Sequence, residues 1–171
     1  KGYNWGAGRV YDNWLKDEIL PEKTRAEKIW TPETPFARHH AEILPSWIDY
    51  NGHMTEFRYL QVMSDAADCL LTYLGLSKDY VEAGFSIYTV ETHIRHLAEA
   101  ILGEQITVAT QILSADERKI RLWHSLKTEV GIEVATGEQM WLHVDMKAGR
   151  AAAMLGILRE RMLTLFKAHQ S

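Results

Sequence analysis

The chain is short of several things that would define other classes of protein. It holds one cysteine, Cys69, so no internal disulfide can form, and a reducing, cytoplasmic setting is expected. Basic residues are in deficit, 19 Lys and Arg against 23 Asp and Glu, which speaks against a nucleic-acid partner because no excess exists to neutralise phosphates. No apolar run approaches the roughly 20 residues needed to cross a bilayer. The opening "KGYNWGAGRV" also lacks the apolar core of a signal peptide, so no membrane partner is expected. It begins with Lys rather than Met, and the expectation is a fragment or processed product of something longer. There is no G-x-S-x-G elbow, no P-loop, no internal repeat and no low-complexity segment.

Proline is scarce and unevenly placed. Pro21, Pro32, Pro35 and Pro45 are the only four, and three of the six tryptophans lie in the same opening stretch. That shift in composition marks residues 1–35 as an arm or linker, with Val10, Trp14, Leu15 and Leu20 on one face of a short helix. Residues 36–171 are expected to form one domain, and at 46% hydrophobic residues a real core is available.

Within that domain "FARHHAEIL" reads as a strand stopped by Pro45. From residue 56 to 74 the spacing becomes helical, with Tyr59, Met63, Ala66, Leu70 and Tyr73 on one stripe and Gly75 as the stop. "SKDYVEAG" adds a short helical turn, and four alternating segments follow, over 85–97, 105–113, 118–128 and 137–146. The first puts Tyr88, Val90, Thr92 and Ile94 opposite Glu91, His93 and Arg95. The last puts Met140, Leu142 and Val144 opposite Trp141, His143 and Asp145. A mixed outer face of Arg121, Trp123, Trp141 and His143 would suit a further subunit contact. A final helix runs from Leu155 to about His169. One long helix followed by a meander of strands implies α+β, an antiparallel sheet with one face on that helix.

The polar chemistry gathers just before the long helix, in "WIDYNGHMTE". The first backbone N–H groups of a helix have no intrahelical partners and carry the positive end of its dipole. A carboxylate there, Asp49, can serve as base or nucleophile toward an acyl carbon whose oxygen those donors hold. The alternative is an aspartate that only hydrogen-bonds its own turn, since "DYNG" is good turn chemistry. Cys69 sits beside Leu70 in the helix and reads as a packed thiol. His93 and His96 fall on opposite faces of a strand and cannot share one ion, so no metal and no other cofactor is expected.

"DYNGHMTEFRYL" resembles the hotdog-fold acyl-CoA thioesterases of the 4-hydroxybenzoyl-CoA thioesterase type, whose motif is an aspartate, a glycine three residues on and a tyrosine ten residues on. Here these are Asp49, Gly52 and Tyr59. Asn51 and His53 are similar to the N-Q-H-V-N segment of plant acyl-ACP thioesterases. The likeness continues through "FSIYTVETHIRHL", "GEQITVATQIL" and "ATGEQMWLHVDM". Within the group, "DYNGHMTE" and "YTVETHIRHL" are most similar to the betainyl-CoA thioesterase family of carnitine breakdown, often fused behind L-carnitine dehydrogenase. "WGAGRV" resembles the tail of such a dehydrogenase.

The resemblance implies a homodimer or homotetramer that hydrolyses a small acyl-CoA. It makes Asp49 the catalytic carboxylate, as general base or as nucleophile forming a mixed anhydride. Asn51 and His53 would orient water or thioester, and Glu91 and Thr92 lie on a strand that borders the site in this fold. A betainyl group carries a fixed trimethylammonium suited to aromatic faces, for which Trp47, Tyr50, Tyr59, Tyr73 and Tyr88 are candidates. Two other activities stay open, a hotdog acyl dehydratase and a non-catalytic acyl-CoA-binding module.

Overall fold

The computed structural model describes residues 30–171, and one compact unit runs from Pro32 to Ser171. The short helix expected through Val10 to Leu20 lies outside the described residues. Strand β1, Phe36–Glu42, ends two residues before the expected point, and the chain turns through a single 3-10 turn at Pro45–Trp47. Helix α1, Glu56–Leu74, has the expected bounds and buries Tyr59, Val62, Met63, Ala66, Ala67, Leu70, Leu71 and Leu74. It stops at Gly75, whose φ of 98° is the left-handed conformation a helix C-terminus favours. A short helix α2, Lys78–Glu82, follows, with Ser77 capping the Tyr80 N–H.

The remaining strands are β2, Phe85–His96, β3, Gln105–Ala115, β4, Lys119–Thr128, β5, Glu133–Asp145, and the two-residue β6, Arg150–Ala151. Helix α3, Gly156–His169, closes the chain. The sheet order is β1-β3-β4-β5-β2, with β6 pairing the end of β5, and the ladders are antiparallel. The expected α+β arrangement is therefore present, one long helix against an antiparallel sheet. After α1 the chain crosses to the far edge for β2 and returns to β3, so β2 pairs only with β5 among the described strands.

Strand β5 begins four residues earlier than its expected start at 137, because Gly131 (φ 85°) tightens the β4–β5 hairpin and lets Glu133 join the ladder. Its faces are also the reverse of the expected ones. Trp141 and His143 are buried, while Met140 and Leu142 are only half-buried. The helix side of β5 is marked by Gly137, where an added Cβ would stand 2.4 Å from the Met63 sulfur of α1. Gly137, Gln139, Trp141 and His143 alternate onto that side. The outer face proposed for a subunit contact thus loses Trp141 and His143. A register shift between Thr89 and Glu91 in β2 moves Tyr88 as well. Tyr88 pairs with Leu142 and Glu91 with Met140, so both belong to the outer face and Thr92, opposite Gln139, to the helix side.

The buried side of the sheet is polar at a few chosen points. Trp141 Nε1–H donates to Gln139 Oε1 at 3.0 Å, and His124 Nε2 lies 3.3 Å from the same oxygen. That oxygen can only accept, so His124 carries its proton on Nε2 and its Nδ1 accepts from the Thr110 hydroxyl at 2.9 Å. Burial pushes the His124 pKa down to about 4, against the smaller upward pull of Gln139. His143 is built the same way: Nδ1–H donates to the Ala152 carbonyl, and Nε2 accepts from the Tyr80 hydroxyl at 2.7 Å. These groups lock β3, β4, β5 and α2 together and involve no residue of the Asp49 turn.

Candidate active site

The turn between β1 and α1 is a small hairpin closed by the bridge between Ile48 and Met54. Inside it Asp49 N–H donates to the His53 carbonyl at 3.0 Å, and Gly52 N–H to the Asp49 carbonyl at 3.1 Å. Gly52 has a φ of 85°, which a side chain would strain, so its place in the motif is first a backbone requirement. The Asp49 carboxylate accepts through Oδ1 from the N–H groups of Asn51 (2.8 Å) and His53 (3.3 Å). Among the described residues no hydrogen bond goes to Oδ2. The bland role expected of a turn aspartate is thus carried out by one oxygen, and the other is left over.

Two further tethers fix where this turn points. Trp47, 9% exposed, gives its carbonyl to both the N–H and the hydroxyl of Thr55, the helix N-cap residue. The Thr55 side chain is thereby turned away from the first helical turn, whose N–H groups it does not cap. The second tether is the connection between β2 and β3. Met54 N–H donates to the Ala100 carbonyl at 2.8 Å, His53 bridges to Ile101, and His53 Nε2 lies 3.1 Å from Glu99 Oε2. Glu99 is a site neighbour that spacing did not reveal, since "HLAEAILGE" reads only as a polar connection.

Tyr59 lies one helical turn in, buried, with its ring edge-on to His96 at 4.7 Å between centroids. Burial raises its phenol pKa, with smaller upward pushes from the Glu104, Glu99 and Asp49 carboxylates and an opposing backbone hydrogen bond at Ala100. The phenol is therefore protonated at neutral pH. Asp49, Asn51, Gly52, His53, Trp47 and Tyr59 are thus gathered at one corner.

Glu91 and Thr92 are not gathered there. They precede His96 by five and four residues, about 13–17 Å along an extended strand. Glu91 lines a shallow depression of about 170 Å³ on the outer face with His93, Arg121, Glu138 and Met140. An ion pair between Arg121 and Glu138 crosses it. His93 belongs to that depression and His96 to Tyr59.

An aspartate with one carboxylate oxygen left over, in the turn that leads into α1, has the chemistry of a base or nucleophile toward a carbonyl. Residues 43–161 match the family model of the Thioesterase-like superfamily. The chain belongs to the thioesterase-like superfamily. Over 154 residues the domain is 47% identical to an L-carnitine dehydrogenase/betainyl-CoA thioesterase of Agrobacterium fabrum, matching 90% of this chain and 31% of that protein. The chain therefore spans about a third of the length of such curated relatives. A betainyl-CoA thioesterase of Pseudomonas aeruginosa is 35% identical, with 85% of this chain and 89% of that one covered. In structure the thioesterase-like domain is similar to a Staphylococcus aureus protein solved in complex with CoA. The TM-score is 0.75 and the identity 25%, over 80% of this chain and 87% of that one. The helix and its curled antiparallel sheet are the hotdog fold that the resemblance implied.

Proposed function

We propose that this domain hydrolyses the thioester of betainyl-CoA, releasing betaine and CoA, with Asp49 carrying the chemical step. The observation that bears most weight is the Asp49 carboxylate itself, with Oδ1 bound in its turn and Oδ2 without a hydrogen bond among the described residues, in the turn that leads into α1, whose N-cap side chain does not cap it. In the reaction a water oxygen bonds the acyl carbon, its proton passes to Asp49, and the carbon–sulfur bond breaks to give CoA thiolate, which then takes a proton. The same carboxylate can instead attack the carbon first and form a mixed anhydride that water opens. Either way the carbonyl oxygen gains charge that first-turn N–H groups of α1 stabilise. His53, held through Nε2 by Glu99, and Asn51 orient the water or the ester. The names of the Agrobacterium and Pseudomonas relatives support the acyl group.

The same reading includes a second copy of the chain. Strand β2 is twelve residues long and pairs on one side only among the described strands, a long open edge of the kind that recruits another strand. Thr89 and Thr92 are exposed although they alternate onto the helix side. A homodimer joined through β2 would cover them and let Thr92 of one subunit border the site of the other, while Glu91 stays on the opposite, outer face. By the same likeness, residues 1–35 follow a dehydrogenase domain in a fused protein.

Thiol release across a panel of acyl-CoA esters tests the activity, with betainyl-CoA expected to be among the best substrates. Binding of the esters without thiol release would instead make the domain a carrier. Hydration of an enoyl-CoA without hydrolysis would make it a dehydratase.

A further inference from the structure

The structure narrows which aromatic rings can meet a cationic acyl group. Tyr73 lies against Phe36, with centroids 5.0 Å apart, and carries the Arg38 guanidinium at 4.8 Å. Tyr88 is on the outer face beside Leu142, and Tyr59 is buried with its ring turned to His96. Trp47 is nearly buried and lies under the Arg58 guanidinium at 5.5 Å. Two rings remain at the Asp49 corner. Tyr50, the residue after Asp49, is 97% exposed, and Phe57, in the first turn of α1, is 58% exposed. Tyr50, left almost wholly in water, contributes almost nothing to the core, and Phe57 has more than half of its surface free.

Phe57 already shows the chemistry in question. The Arg58 guanidinium stands 4.7 Å from its ring centroid, inside the roughly 6 Å at which a cation is drawn to an aromatic face. Arg58 is itself held by Gln61 at 2.5 Å and by the Ser46 carbonyl at 3.5 Å. It can cover one face of Phe57 only, and the ring's exposure leaves the other side to solvent. Exposed carboxylates offset the Arg58 charge in this part of the molecule, Glu56 next to Phe57 in the first helical turn and Glu99 against His53.

Resting on the hydrolase reading above, we propose that Tyr50 and Phe57 form a seat for a quaternary ammonium on the acyl group, and that this seat selects a cationic acyl-CoA over a neutral one of the same shape. A trimethylammonium has no N–H to donate, so hydrogen-bond acceptors cannot recognise it. Its diffuse charge is matched by ring faces and by carboxylates at its edge. The acyl group is short, and Tyr50 follows Asp49 in the chain with its Cα about 3.8 Å away, so a ring there is within side-chain reach of the reacting carbon.

The test compares betainyl-CoA with 3,3-dimethylbutyryl-CoA, in which carbon replaces nitrogen and the shape is kept. The wild-type ratio of kcat/KM should favour the cation. Tyr50→Leu and Phe57→Leu should each lower that ratio by roughly 2- to 30-fold. Tyr50→Phe, which keeps the ring face, should hold the ratio near its wild-type value. An unchanged ratio in both leucine variants overturns the seat, even where betainyl-CoA is hydrolysed well. If neither ester releases thiol, the hydrolase reading falls by itself. The seat is then judged by calorimetric affinities for the same two esters: a preference for the cation that both leucine variants erase upholds it, and equal affinities overturn it.

Discussion

Two groups of polar side chains in this domain are in opposite conditions. Beneath α1, Thr110, His124, Gln139 and Trp141 form a buried chain in which both imidazole nitrogens and the indole N–H have partners. At the Asp49 turn the carboxylate is half used, the Thr55 side chain caps none of the first helical N–H groups, and the histidine is held by an exposed glutamate. A closed network fixes a fold and has nothing left to offer a substrate. An open one, braced mostly through its backbone, keeps the valences that a reaction can take up. Polar residue types alone do not separate these cases, since each group contains a histidine and an amide.

The largest effect should come from the open group. Asp49→Asn keeps the Oδ1 acceptor of the turn but removes basicity and nucleophilicity, so turnover should fall by about 10²–10⁴-fold. Substrate affinity, read by calorimetry, should change little, because the lost interaction belongs to the transition state.

Breaking the closed group should cost stability instead. Gln139→Leu strands the Trp141 and His124 donors in a dry interior, at about 1–3 kcal/mol for each. Chemical denaturation reads this as a lower midpoint. Thiol release per folded molecule should stay within a few-fold of wild type.

The closed group also predicts a pH dependence. The unfolded imidazole binds a proton near 6.5 and the folded His124 only near 4. The unfolded state therefore holds more protons between these values, and stability is lost as pH falls from about 6.5 to about 4, on the order of 3 kcal/mol in all. Asp68 works in the opposite direction, because burial and the Asp65 carboxylate hold its pKa up at about 6. The measurement is thus a difference of slopes. His124→Gln retains a donor and an acceptor but does not titrate, so its stability should fall less steeply with acid than that of the wild type.

The smallest expected effect is Gly137→Ala. The added carbon meets the Met63 sulfur, and a flexible thioether can yield at a cost of roughly 1–3 kcal/mol. Combined with Met63→Leu, the loss seen by denaturation should be less than the sum of the two single changes.

Much of this is legible in the amino-acid sequence. The helical spacing from Glu56 to Leu74, the glycine stop and the alternation of β3 and β4 follow from backbone periodicity, which is local. The turn holding Asp49 is legible for the same reason, since its hydrogen bonds run within five residues. The faces of β5 are not. Trp141 and Leu142 are both large and apolar, so alternation leaves the inward face undecided. What turns Trp141 and His143 inward is the acceptor on Gln139 and the Tyr80 hydroxyl, the latter 63 residues away. The shift at Val90 that puts Tyr88 on the outer face is likewise a property of the β2–β5 pair rather than of β2. Glu99 reaches His53 only because β2 ends where the Asp49 turn docks, a fact of topology.

The most direct measurement pairs thiol release from betainyl-CoA, per folded molecule, with the denaturation midpoint of Asp49→Asn. Central to the account is that Asp49 is chemistry and the buried network is structure. It predicts a midpoint close to wild type and a turnover lower by at least about 10²-fold. A folded Asp49→Asn protein that releases thiol at a near-native rate would contradict it.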